Sequence, residues 1–249
     1  MCDILPIVQP PVLGCVFFLA AVLYSSVGHG GASAYLAVMG LLGMIPLEMK
    51  PIALTLNIAV SLLALVMFAR AGHFRGRLFW PLAAASVPAA FIGGWLQSPD
   101  PIFKPILAAA LVFGAWRLVF GGKADEVPGR EPRLPVVLLL GLALGFLSGL
   151  IGIGGGIFLT PLLILLRWTP AKPAAAVSAA FIFANSVAGL SGFLAKGGAI
   201  PSMTWFLLPA VMAGGGLGSC WGSTYAGSPA LRRSLAAVLV VAAAKFVTI

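Results

Sequence analysis

The stretch Gly149-Leu150-Ile151-Gly152-Ile153-Gly154-Gly155-Gly156 sits inside an apolar run, Val136 to Leu166, that carries no charge. A fainter copy, Ser26-Val27-Gly28-His29-Gly30-Gly31, lies inside a second run from Ile4 to Leu47 that is uncharged at neutrality. Each run is too long for one membrane span of about 20 residues and short for two. Each is broken near its middle by glycines, which a helix interior tolerates poorly. Both read as paired short helices meeting at a glycine-lined turn, placed where a ligand could be held.

The surrounding composition fixes the class. Hydrophobic residues make up 61% of the 249 and charged residues only 8%, with a mean hydropathy of +1.09. A soluble domain carries roughly a quarter charged residues. This is an integral membrane protein with little outside the bilayer. The early residues lack the basic region of a cleaved leader, since Asp3 is the only charge there. Cys2, Cys15 and Cys220 have no metal-like spacing and give no disulfide framework. The net charge of +9 comes from Lys and Arg in short loops, which orients membrane spans and excludes nucleic acid as the expected partner.

Five segments precede a polar stretch: about Pro11–Val27, Ala32–Ile45, Pro51–Ala69, Leu78–Gln97 and Pro105–Phe120. Pro46-Leu47-Glu48-Met49-Lys50-Pro51 reads as an interface loop, and Arg70 to Arg77 as a basic loop. After the polar stretch the pattern returns. Gly28, Gly30 and Gly31 match Gly152, Gly154 and Gly155 at an offset of 124, and Trp95 matches Trp221 at 126. So slow a drift argues for duplication. The expected fold is an all-α polytopic membrane protein of two inverted repeats, 1–122 and 136–249, joined by a cytoplasmic linker, 123–135. In each repeat the first two segments are short, either full crossings or a re-entrant hairpin. With the Arg70–Arg77 loop inside, the dense basic loops share the cytoplasmic face and both termini lie outside. The equivalent loop after Lys196 then falls on the opposite face, as inversion requires.

Gly30-Gly31 and Gly154-Gly155-Gly156 precede the second helix of each pair, with Gly28 and Gly152 opening the turns. A helix start offers unpaired N–H groups and the positive end of its dipole, and glycine lets a ligand approach that backbone. These features point to an anion site. The alternative is that the glycines serve only close helix packing or a sharp turn. His29, in the first turn, could add positive charge or relay a proton, or be a neutral turn histidine; its counterpart is Ile153. Ser33 and Thr160 follow the two turns and could donate to the ligand. Asn57 and Asn185, within apolar segments three and eight, could line the pathway or bond a neighbouring helix. Arg117 and Lys245 lie near segment ends and snorkel, or present charge to an entering anion. All six Asp and Glu residues fall outside the spans, which argues against a carboxylate sodium site or a cationic substrate. With two histidines and no metal-spaced cluster, neither an enzyme nor a cofactor is expected.

The run Gly145-x-x-x-Gly149-x-x-Gly152-x-Gly154-Gly155-Gly156 before Pro161-Leu162-Leu163 resembles the TauE/SafE family of sulfite and sulfonate exporters. The first copy and the two-half layout resemble it too. The resemblance implies transport of sulfite, sulfonates or other small anions across the bacterial inner membrane. Its implied partners are that anion and the lipid bilayer, with protons as coupling ion and a homodimer left open. A channel and a non-transporting assembly factor are the competing readings. His29 and Ala32-Ser33 depart from the second copy's Ile153 and Gly156-Ile157, so the pocket could differ from the family's.

Overall fold

The computed structural model describes residues 10–96 and 132–224, with positions 105, 106, 108, 109, 112, 113, 116 and 240 besides. Most of segment five, segment ten, Arg117, Lys245 and most of the linker therefore lie outside the described residues. Eight helices follow one another there: α1 Pro10–Ser25, α2 Ala32–Leu41, α3 Pro46–Arg70, α4 Gly76–Trp95, α5 Leu134–Ile151, α6 Gly156–Leu165, α7 Ala171–Ala195 and α8 Met203–Thr224. Five of them, α3, α4, α5, α7 and most of α8, are long and apolar enough to cross a bilayer. α2 and α6 have ten residues each. At 1.5 Å per residue each covers about 15 Å, half of a ~30 Å hydrocarbon core, so neither spans alone.

One expected loop is helical. Pro46 through Pro51 form the opening turns of α3. Pro46 occupies the first turn, where a missing N–H costs nothing, so the prolines start the helix instead of preventing it.

The backbone repeats in detail. Positive φ occurs at Gly28 and Gly152, Gly31 and Gly155, Gly43 and Arg167, and Gly72 and Gly197, pairs spaced by about the same 124 residues. Gly43 and Arg167 each follow the end of a ten-residue helix. There Met44 N–H reaches Met39 O and Trp168 N–H reaches Leu163 O, the bonds that close a left-handed helix end. α3 and α7, 25 residues each, end the same way, with His73 N–H on Phe68 O and Gly198 N–H on Phe193 O.

The main packing pairs exchange between the halves. α4 lies on α5 and α8 on α1; α4 lies on α7 and α8 on α3; α2 lies on α3 and α6 on α7. Lipid gives apolar helices no reason to associate, so close van der Waals contact must hold them. Gly141, Gly145 and Gly149 supply it on α5, against the backbone of Leu82, Ser86 and Ala90 on α4. Gly214, Gly218 and Gly222 do the same on α8, against Phe18, Val22 and Ser26. For Gly145 and Gly149 the packing reading of the glycine motif is therefore the right one.

α3 and α7 cross at the centre and run antiparallel. Lys50, at the start of α3, lies 5.8 Å from the Phe193 ring at the end of α7. Ala64 and Phe68, near the end of α3, pack with Ala175, Ala176 and Ala179 at the start of α7. Likewise Arg75 precedes α4, whereas Lys196 stacks 4.2 Å over Trp95 at its far end. Twenty residues of helix, about 30 Å, separate them.

Candidate functional site

α1 ends in a tight turn in which Gly28 N–H bonds Ser25 O at 3.0 Å and His29 N–H bonds Tyr24 O at 2.9 Å. α5 ends where Gly152 N–H bonds Ser148 O at 2.9 Å. Gly31 and Gly155, both left-handed, then start α2 and α6, and neither start has a side-chain cap from its own N-cap residue. A β-carbon is disfavoured at such a φ, which explains glycine at both places.

The two turns meet. His29 Nε2 lies 3.0 Å from the carbonyl oxygen of Gly156, so it donates there across 127 residues of chain. Asn57, fully buried on α3, bridges the turns from below. Its Oδ1 accepts from Ala32 N–H at 3.2 Å, and its Nδ2 donates to Ile153 O at 3.1 Å and to Ser186 Oγ at 3.5 Å. Asn57 thus caps α2 from a different helix, satisfying one of the donors that a helix start leaves open. Ile182 of α7 is wedged in as well, and a β-carbon on Gly154 would come within 2.8 Å of it.

A narrow cleft, with room for about one water molecule, opens beside the first turn. His29, Gly30, Gly31 and Ser33 line it, together with Tyr24 and Ala32. The second half contributes Ile153, Ile157 and Ile182. The remaining candidates sit elsewhere. Gly28 is a contact point, since a β-carbon there would lie 2.6 Å from Ala175 O; Gly152 stands on Lys50 in the equivalent way. Gly155 packs near the Phe181 ring. Thr160 Oγ1 and Ser178 Oγ are 2.7 Å apart on α6 and α7. Asn185 Nδ2 bonds back to Phe181 O at 2.8 Å within α7, and its Oδ1 has no partner. With α3 and α7 in register, Asn57 falls opposite Ile182, and Asn185 opposite Val60.

Two residues at the site escaped the sequence reading. Tyr24 lies one helical turn before Gly28, a spacing that would have placed it on the turn. Lys50 is only 5% exposed, and its Nζ donates to the carbonyls of Gly93, Gly94 and Leu96 at 3.3, 3.1 and 3.4 Å. These are the last carbonyls of α4, where a cation is favoured by the helix dipole. Nothing in its proline-flanked surroundings signalled burial. Its three donors are used, so its role is to tie α4 to α3. The acidic residue among the described ones, Glu48, is exposed.

Comparison with known proteins bears on this arrangement. The family described as "Sulfite exporter TauE/SafE" matches residues 13–246. A protein named "Probable membrane transporter protein y4hK" from Sinorhizobium fredii is 36% identical over 239 residues, 94% of this chain and 96% of that protein. Over 93 residues, 37% of this chain and 34% of the relative, the identity to "Probable membrane transporter protein MJ0441" of Methanocaldococcus jannaschii is 37%. No solved structure matches the chain. A family match running through both glycine turns and nearly the whole chain establishes that this protein belongs to the TauE/SafE family.

Proposed function

We propose that this membrane transporter carries small anions, sulfite or organosulfonates first among them, out across the bacterial inner membrane by alternating access of two inverted halves. The observation that carries the reading is the meeting of the two broken helices: the start of α2 opens on a cleft, His29 joins the turns, and no carboxylate is among the described residues that line the space. Helix-start amides and hydroxyls are donors, and donors without a counter-ion suit a negative ligand.

The exchanged packing pairs and the antiparallel α3 and α7 support two inverted halves rocking about a central site. A small cleft between them favours a carrier over an open channel. An interior that is electrically negative drives anions outward, and protons could supply coupling.

Purified protein in liposomes tests the reading. Uptake of labelled sulfite or sulfoacetate that saturates and is stimulated by unlabelled anion on the far side is the expected result. Flux that stays linear in concentration without such counterflow would make the protein a channel. Absent flux and binding for sulfite, thiosulfate, sulfoacetate, taurine and lactate alike would make it a non-transporting membrane factor.

A further inference from the structure

The described helices fall into two groups, each closed by backbone contact at glycines. In one, α4, α5 and α7 meet: a β-carbon on Gly94 would strike Gly189 O, and one on Gly149 would strike Ala90 O. In the other, Gly214, Gly218 and Gly222 set α8 on α1, and Gly215 faces Val60 of α3. The links between the groups have another character. His29 reaches Gly156 O, Asn57 reaches Ile153 O and Ser186 Oγ, and Lys50 reaches the carbonyls of Gly93, Gly94 and Leu96. In each, a side chain of α3 or of the first turn donates to the other group. Such bonds are modest in net strength and re-form easily, unlike interlocked backbones.

Lys50 stands at one end of this divide, on the face that carries Phe193, Trp95 and Lys196. Towards the Arg75 face the crossing is made instead by Ala64 and Phe68 of α3 against Ala175, Ala176 and Ala179 of α7. The two faces are thus chemically unequal although the backbone is repeated: Gly152 rests on the Lys50 stem, and Gly28 rests on Ala175 in the equivalent place. A buried ammonium with only carbonyls and a ring among its described contacts is a poor choice for stability alone. An apolar chain of that length would pack there without desolvating a charge. The charge suits a contact that must open, because near a helix end a lysine head swings to the interface and is hydrated again.

We propose that Lys50 is the gate on the Lys196 face, a latch that holds the two helix groups together there and swings off α4 to let them part. The cleft between the turns has room for about one water molecule, so a solute enters only when the groups separate. With its head on the α4 carbonyls, Lys50 ties α3 to α4 and shuts that face. Release frees α4, and because Gly152 rests on the lysine stem, the second turn moves with it. The inference rests on the reading of two rocking halves above and names the latch of that motion.

The test reads sidedness, without any transported solute. In a full-length chain free of native cysteines, Ile153→Cys reports access to the turns and Ala179→Cys reports the Arg75 end of the crossing. Each is labelled with an impermeant maleimide in intact cells and in inside-out vesicles, Lys196→Cys and Arg75→Cys defining the two faces. Lys50→Met, which keeps the stem and removes the donors, should speed labelling of Ile153→Cys from the Lys196 face about tenfold and slow that of Ala179→Cys from the other. Lys50→Arg should restore the closed pattern. Phe193→Leu leaves Lys50 in place and removes the ring beside it, so it should give a smaller shift, about threefold, even if Lys50→Met does not fold. A lower thermal midpoint with unchanged sidedness makes Lys50 a structural tie and overturns the gate, as does unchanged sidedness in Phe193→Leu when Lys50→Met is unfolded. Sulfite flux measured in parallel separates the two readings. Flux with unchanged labelling removes the gate alone, and a shifted pattern without flux of any anion tried removes anion transport and leaves the gate.

Discussion

The imidazole of His29 and the carbonyl of Gly156 are joined by a hydrogen bond of 3.0 Å, which ties the turn after α1 to the first residue of α6. It is a direct side-chain link between the two broken helices, and a rocking motion of one half against the other must stretch or break it. His29→Ala should therefore lower transport about tenfold, the equivalent of about 1.4 kcal/mol, whereas His29→Gln, which retains a donor, should recover part of it. The pH profile of flux separates two roles: a profile identical in wild type and His29→Ala leaves His29 a structural donor and no proton relay.

Asn57 is fully buried and holds both turns at once. Asn57→Leu keeps the side chain's bulk but strands Ala32 N–H and Ile153 O, at a cost of about 2–4 kcal/mol. The thermal midpoint in detergent should fall and transport should be lost. Asn57→Asp keeps the acceptor for Ala32 but buries a charge and sets an oxygen against the Ile153 carbonyl, so it should lower the thermal midpoint and block anion flux. Wild-type flux in Asn57→Asp would remove the anion site.

Arg167 has φ of 58°, in the place that Gly43 takes in the first half. A side chain there costs about 1–2 kcal/mol, partly offset by the greater freedom glycine loses on folding. Arg167→Gly should stabilise the protein by about 0.5–1 kcal/mol, seen as a higher thermal midpoint. An unchanged or lower midpoint would mean that the arginine has a stabilising contact strong enough to hold the strained backbone.

Arg75 and Lys196 lie at opposite ends of α4, a helix long enough to span the bilayer. Single cysteines at these exposed positions, in a background free of the native cysteines, should react with an impermeant maleimide from opposite sides of the membrane. Labelling from the same side defeats the inverted arrangement and alternating access with it.

Composition alone determined that this chain belongs in a membrane, because 8% charged residues cannot cover a soluble domain with water-facing groups. The glycine interruptions determined where the helices break, since helix propensity is a local property. The repeated spacing was legible for the same reason: turn glycines keep their place in the chain. The hydrophobic pattern said nothing about which polar groups meet, because in a bilayer protein apolar residues cover every face and no stripe marks the interior. Only the tertiary structure decided that Asn57 reaches both turns while Asn185 bonds within its own helix. It alone buried Lys50 under the end of α4 and put Tyr24 at the cleft. Those placements depend on the antiparallel crossing of α3 and α7 and on which helix faces close within hydrogen-bond reach. Such distances join residues 25 to 127 positions apart, and nothing local to either residue encodes them.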